Sequence, residues 1–182
     1  MQLAGNNIIQ VLDIASGDVW RGPIESLFEK FSSYIKYEED HQEFIPKDMR
    51  ITDWTGWSHI ESIKRFTAND IKWMKVSLQG HTVICTSDST VLEWQADVSK
   101  RSFQGRPVWN YQCVTLQDIK PKSVGRILNL NADPTSTFFD NYIVEPIDYD
   151  RKVYYEIYTH SRFYNVNRIL DASVGQNHLG WK

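Results

Sequence analysis

Residues 152–173 read KVYYEIYTHSRFYNVNRILDAS. β-branched and aromatic residues dominate the first part of this segment, and the apolar pair Ile169–Leu170 comes near its end. Residues of these types favour extended backbone, so the segment predicts two strands, at 152–159 and 162–170. His160 and several hydroxyl groups lie where the two strands meet. We therefore expect a β-rich domain that carries polar chemistry at this junction.

The rest of the chain repeats these strand signals. Short apolar runs between turn residues predict further strands at 7–14, 49–54, 58–66, 72–78, 81–86, 90–96, 111–116, 124–130 and 142–146. One helix is predicted at 23–36, because Pro23 suits a first helical position and apolar residues recur at helical spacing. The acidic segment 37–43 and the basic segment 100–110 are expected to form loops. Many strands and a single helix predict one all-β domain.

Composition narrows the class of protein. The 182 residues are 41% hydrophobic and 13% aromatic, which is enough to build one globular core. A net charge of −3 gives no reason to expect a nucleic-acid partner, and no apolar run reaches the roughly 20 residues of a membrane span. Cys85 and Cys113, the only cysteines, form neither a disulfide framework nor a metal-binding pattern. With no secretory signal in the first residues, we expect a cytoplasmic protein without metal, nucleic-acid or membrane partners.

The C-terminal segment resembles the closing motifs of inteins, the self-excising domains of protein splicing. An intein usually closes with a valine-tyrosine-acid strand, a histidine, an aromatic pair, an apolar pair and His-Asn, and the downstream flank then begins with Ser, Thr or Cys. Here Glu156 matches the acid, Asp171–Ala172 stand in place of His-Asn, and Ser173 follows. His160 lies near the histidine position, whereas counting back from the aromatic pair puts Ser161 there. Either residue could serve.

A second match is GHTVICTSDSTVL, residues 80–92. It resembles the intein motif in which a strand after a glycine turn ends in Thr-x-x-His, whose histidine activates the N-terminal scissile amide. Thr86 matches the threonine, but Ser89 replaces the histidine, and serine is no imidazole acid at neutral pH. Asp88 or His81 could supply the missing group, or backbone strain could drive the step. Without the resemblance, the same residues form a polar turn between two strands.

Alanine occupies both positions where an intein carries its reacting side chains. Ala4 follows the short flank Met1–Leu3 at the place where inteins begin with Cys or Ser, and Ala172 occupies the place of the terminal asparagine. Alanine offers no nucleophile and cannot cyclise. The resemblance therefore implies a precursor inactivated at both junctions, with a splicing domain at 4–172 and a downstream flank at 173–182.

The resemblance also implies a fold and a reaction. The fold is the all-β, horseshoe-like Hint fold that inteins share with hedgehog autoprocessing domains, here without an endonuclease. The reaction is a single-turnover acyl shift to a nucleophile at position 4, transfer to the hydroxyl of Ser173, and cyclisation of an asparagine at 172. It needs no cofactor. The implied partners are the flanking extein and, if the domain is naturally split at 37–47, a complementary fragment, in a bacterial or phage protein.

Two alternatives stay open at this point. One is a related autoprocessing domain that cleaves without ligating. The other is a non-catalytic, β-rich binding module, in which the alanines have no significance and the seven tryptophans and nine tyrosines could line a sugar or peptide groove.

Overall fold

The computed structural model describes residues 2–31, 34–53, 56–78, 81–119, 123–128 and 139–160. Within these ranges the chain is mostly β, as the sequence predicts. The strands are β1 (Leu3–Ala4), β2 (Ile8–Asp13), β3 (Val19–Pro23), β4 (Ile35–Tyr37), β5 (His41–Phe44), β6 (Met49–Asp53), β7 (Gly56–Thr67), β8 (Trp73–Leu78), β9 (His81–Thr86), β10 (Thr90–Arg101), β11 (Pro107–Thr115), β12 (Ser123–Leu128), β13 (Phe139–Ile147) and β14 (Val153–Thr159). The predicted strand at 162–170 lies outside the described residues.

Twelve of these strands form one antiparallel sheet. Its order is β12-β13-β8-β9-β1-β14-β7-β6-β2-β3, and β5 joins the hairpin β4–β5 to β7. Strands β10 and β11 form a separate two-stranded hairpin. The two-residue strand β1 lies in the middle of the long sheet, between β9 and β14. A strand near the start of the described chain is thus an interior strand of the sheet.

Alternating side chains place the core on one face of the central strands. Val83 and Cys85 of β9 are buried, and so are Tyr155 and Ile157 of β14. Successive strand residues point to opposite faces, so these pairs share a face with the core and their neighbours do not. Phe28 of the helix covers Tyr155, with ring centroids 5.3 Å apart in an edge-on arrangement.

The helix, α1 (Ile24–Lys30), is shorter than the predicted 23–36. Its first N–H groups are satisfied from outside, because those of Ile24 and Glu25 donate to the carbonyls of Asn7 and Gly5 at 3.0 Å each. Beyond its end, Ile35 pairs with Phe44 across the hairpin β4–β5, so strand pairing overrides the helical spacing there. Among the described residues, no helix is long and apolar enough to cross a membrane.

Both segments expected to be loops contain strand. The acidic segment 37–43 includes the turn and most of β5 in the hairpin β4–β5. The basic segment 100–110 is the tip of the longer β10–β11 hairpin, where residues 102–106 alone form the turn and Gly105 adopts a φ of 72°. Charged residues are tolerated in the turns of both hairpins because residues 38–40 and 102–106 are exposed to solvent.

Candidate functional site

Strand β1 carries the predicted upstream junction. Leu3 pairs with Cys85 of β9 on one side and with Tyr155 of β14 on the other, and Ala4 pairs with Tyr154. The side chains of Leu3 and Ala4 are both fully buried. The Leu3–Ala4 peptide is therefore held inside the sheet, with a neighbouring strand along each edge.

Asn7 fixes the chain as it leaves β1. Its side-chain Nδ2 donates to the carbonyl of Ala4 at 2.8 Å and to that of Ile84 at 2.6 Å, and its Oδ1 accepts the N–H of Ile84 at 2.9 Å. The residue is itself buried. A buried amide with this many partners acts as a rigid bridge between β1 and β9, because unpaired polar groups in the interior are costly.

The polar turn after β9 lies next to the start of β1. The hydroxyl of Thr86 donates to the carboxylate of Asp88, and the oxygens of Thr86 and Ser89 are 3.3 Å apart. Because Thr86 gives its proton to Asp88, the hydroxyl of Ser89 is the donor to Thr86. This leaves the oxygen of Ser89 free to accept, and it accepts the N–H of Gln2 at 3.3 Å. Three of the predicted site residues are thus brought together.

The same turn holds the other side of Gln2. The backbone N–H of Thr86 donates to the carbonyl of Gln2 at 2.9 Å. Thr86 and Ser89 are both buried, and backbone hydrogen bonds tie the turn down, including Ser89 N–H to the carbonyl of Thr86 at 3.0 Å. The contacts of this turn therefore fall on the two peptide groups of Gln2, immediately upstream of Leu3–Ala4.

His81, expected as one substitute for the missing histidine, is not near this turn. It begins β9, five positions before Thr86 along extended strand, a span of roughly 16 Å. Asp88 is better placed, although it reaches Ser89 only through the hydroxyl of Thr86.

Cys85 lies on the core side of the junction without being a usable nucleophile. It pairs with Leu3 and is fully buried. Burial raises the pKa of its thiol to about 12. The thiol is therefore protonated at neutral pH, and only the thiolate attacks carbonyl groups efficiently.

Glu156 lies on β14, two positions beyond the partner of Ala4. Its carboxylate accepts a hydrogen bond from the hydroxyl of Tyr158. Partial burial and this bond raise the pKa of Tyr158 to about 12. Burial also raises the pKa of Tyr154, with further contributions from Glu156 and Asp88. Tyr154 thus lies within the electrostatic reach of carboxylates on both β14 and the β9 turn, although the sequence does not single it out.

His160 follows the end of β14 and belongs to a second cluster. Its Nδ1 lies 2.8 Å from the carboxylate of Glu61, and its ring is 5.0 Å from that of His59 between centroids. Both partners come from β7. His160 is six residues beyond Tyr154 along an extended strand, hence roughly 20 Å from Ala4. The structure does not bring His160 to the upstream junction.

The remaining predicted residues, Ser161, Asp171, Ala172 and Ser173, lie outside the described residues. Within the part of the chain that is described, no cluster of three or more His, Cys, Asp or Glu side chains could hold a metal ion. The sequence gives no local signal for Gln2, Asn7, His59 and Glu61, because each takes its role from a partner far away in the chain.

Comparisons with known proteins rest on structure alone. No protein-family model and no curated protein sequence matches the chain. Among solved structures, the Mvu transcription factor IIB mini-intein matches with a TM-score of 0.62 at 9% identity, over 87% of this chain and 90% of that one. The Mja transcription factor IIB mini-intein matches with a TM-score of 0.59 at 11% identity, over 87% and 90% of the two chains.

The solution structure of the Pab PolII intein matches with a TM-score of 0.57 at 15% identity, over 88% of this chain and 92% of that one. These matches cover nearly the whole of each chain, so they concern the complete sheet and not one hairpin. The predicted fold is confirmed: this chain has the all-β, Hint-type fold of the inteins.

Proposed function

We propose that the chain is a protein-splicing domain, excised from a host polypeptide by transfer of acyl groups between its own residues. One observation carries the proposal. In a sheet with the intein architecture, the N-terminal strand β1 is inserted beside the polar turn of Thr86, Asp88 and Ser89. Acyl transfer needs a peptide held beside polar groups, and the placement of β1 beside this turn meets that need.

The upstream step requires a nucleophile next to a held peptide bond. On the sequence-based assignment, a side chain at position 4 would take the acyl group from Leu3. Ala4 cannot do so, and the buried, protonated thiol of Cys85 offers no substitute. On this assignment the chain stops before the first step.

The downstream step requires an asparagine at 172 and the hydroxyl of Ser173. The side-chain nitrogen of the asparagine attacks its own backbone carbonyl, the bond to Ser173 breaks, and the proton passes to the freed amine. His160, or Ser161 in the alternative register, together with Asp171, would assist this proton transfer. The thirteen residues from 161 to 173 can span up to about 40 Å, so they are long enough to return from His160 to β1.

Ala172 blocks this step. We therefore propose that a protein with this sequence is a trapped precursor and that its reaction requires no cofactor. Its partners are the flanking extein segments. A naturally split form would break in the turn of the hairpin β4–β5, where residues 38–40 are exposed and few contacts would be lost.

The test is restoration of the asparagine in the full chain. Ala172→Asn should release Ser173–Lys182 over hours at neutral pH, detected by mass spectrometry as a fragment with a free N-terminal serine. Ala172→Gly is the control, since glycine cannot cyclise. A folded Ala172→Asn protein that stays intact over days at several pH values would contradict the splicing proposal.

A further inference from the structure

We infer that the upstream junction is the Met1–Gln2 peptide, two residues before Ala4, so that Gln2 occupies the reacting position. The inference rests on the proposed splicing function and refines its first step. It comes from the hydrogen bonds of Gln2, the residue before β1, whereas the sequence motif places the junction at Leu3–Ala4.

The first observation is which amide the turn addresses. The N–H of Gln2 belongs to the Met1–Gln2 peptide, and it donates to the oxygen of Ser89 at 3.3 Å. If that peptide bond breaks, this nitrogen becomes the leaving amine, so Ser89 contacts an atom that takes part in the reaction. The relay from Ser89 through Thr86 to Asp88 fixes the orientation of the hydroxyl.

The second observation is that both backbone groups of Gln2, its N–H and its carbonyl, are hydrogen-bonded to the turn. Besides the contact with Ser89, its carbonyl accepts the N–H of Thr86 at 2.9 Å. Both bonds come from one turn, which is itself buried and hydrogen-bonded. Holding a residue on both sides restricts the peptide that precedes it, and such positioning is a large part of what an acyl shift requires.

The third observation is that the Leu3–Ala4 bond is poorly placed to react. Both side chains are 0% exposed, and Leu3 pairs with a strand on each side. A second nucleophile, such as Ser173, would have to reach a carbonyl enclosed between β9 and β14. Gln2, by contrast, is partly exposed just before the chain enters the sheet.

On this inference, the residue that prevents the upstream step is Gln2 and the unreactive bond is the Met1–Gln2 peptide. The side-chain amide of Gln2 has its nitrogen lone pair delocalised, so it does not attack a carbonyl as a thiolate does. In Gln2→Cys, the thiolate would attack the carbonyl carbon of Met1 and form a C–S bond. The C–N bond to residue 2 would break, and the freed amine would take up the proton that the thiol had lost. Added dithiothreitol would then displace the thioester and release the upstream segment.

The experiment compares Gln2→Cys with Ala4→Cys in the full chain, extended upstream of Met1 by a reporter peptide. With dithiothreitol, Gln2→Cys should release the reporter ending at Met1, whereas Ala4→Cys should stay intact. Release of a reporter ending at Leu3 from Ala4→Cys, with Gln2→Cys intact, would overturn the inference and leave the splicing proposal standing. Folded variants that both stay intact would also overturn it, and the Ala172→Asn test would then decide the function separately.

A second pair of variants tests the contact itself. In the Gln2→Cys background, Ser89→Ala should slow dithiothreitol-dependent release at least about tenfold, as expected when a group that positions the reacting amide is removed. Ser87→Ala, in the same turn, is the matched control and should leave the rate unchanged. Equal rates in both variants, with the fold intact by circular dichroism, would show that Ser89 does not act on this peptide.

Discussion

Asn7 binds both backbone groups of Ile84, as a residue of a neighbouring strand would. Its Oδ1 accepts the N–H of Ile84 at 2.9 Å and its Nδ2 donates to the carbonyl of the same residue at 2.6 Å. The same Nδ2 reaches the carbonyl of Ala4 at 2.8 Å. A single side chain therefore continues the pairing of β1 with β9 where β1 itself has ended, and it ties the start of the chain to the strand that leads into the Thr86 turn.

Removing this amide should cost considerable stability. Asn7→Ala leaves a buried N–H and two carbonyls with fewer partners, and we expect the free energy of unfolding to fall by about 3 kcal/mol. Asn6→Ala is the matched control, because Asn6 is the same residue type one position earlier and is exposed. Chemical denaturation of the three proteins measures the difference. A loss in Asn7→Ala no larger than in Asn6→Ala would show that the bridge contributes nothing to stability.

The two cysteines should differ sharply in reactivity. Cys85 is buried, and its raised pKa of about 12 keeps it protonated, whereas Cys113 is exposed on β11. At neutral pH a maleimide reagent should therefore modify Cys113 rapidly in the native protein and Cys85 only after unfolding. Mass spectrometry of peptides from native and denatured samples distinguishes the sites. Rapid labelling of Cys85 in the folded protein would contradict its burial beside β1.

The pKa of Cys85 also sets a pH dependence of stability. The group titrates near 9.0 in an unfolded chain and near 12 in the folded one. Below pH 9 it is neutral in both states, and between pH 9 and 12 the unfolded state alone loses its proton, so stability falls as pH rises. Wild type should lose more stability than Cys85→Val over this interval. Since the tyrosines are common to both proteins, parallel curves would mean that Cys85 ionises normally in the fold.

The pairing of Glu61 with His160 predicts a positioning role in the downstream step. Glu61 accepts from Nδ1 of His160, which leaves Nε2 as the nitrogen able to take a proton. In the Ala172→Asn background, we expect His160→Ala to slow release of the C-terminal segment about 100-fold, within the usual range for an acid–base group. Glu61→Gln should slow it less and shift the ¹⁵N resonances of His160.

Two further variants complete this test. His41→Ala is the matched control, because His41 also contacts an acid, Asp40, at 2.6 Å, on a different edge of the sheet. Ser161→Ala tests the other register of the motif. Slower release of the C-terminal segment in Ser161→Ala, with an unchanged rate in His160→Ala, would assign the proton-transfer role to Ser161.

The sequence was sufficient where a signal is local. Most strands are predictable because β-branched and aromatic runs alternate with turn residues, and the Thr86–Ser89 turn is recognisable because its members lie within four positions of one another. The helix was predicted too long, since Ile35 fits the helical spacing and nothing nearby in sequence indicates that it pairs with Phe44. Strand β1 has only two residues, which are too few for an alternating pattern that would predict a strand.

The site was harder to predict because its contacts are long-range. Gln2 meets Ser89 across 87 positions, and Asn7 meets Ile84 across 77. Neither residue type signals this in its local sequence. The motif identifies the Thr86–Ser89 turn but places the junction at Leu3–Ala4, and a shift of two residues along a strand preserves the face on which side chains lie. The hydrogen bonds of Gln2 are what favour the Met1–Gln2 placement.

The complete reaction offers the broadest test. The protein as written should persist as a single precursor, because neither Gln2 nor Ala4 can attack the preceding carbonyl and Ala172 cannot form a succinimide. In the full chain with the upstream reporter, Gln2→Cys combined with Ala172→Asn should give an excised domain and a new peptide that joins the reporter, through Met1, to Ser173–Lys182. Each single variant should give cleavage at its own junction only. Mass spectrometry identifies the ligated product by its joined sequence. Cleavage at both ends without ligation would indicate that Ser173 does not receive the acyl group, and would favour a domain that cleaves without joining its flanks.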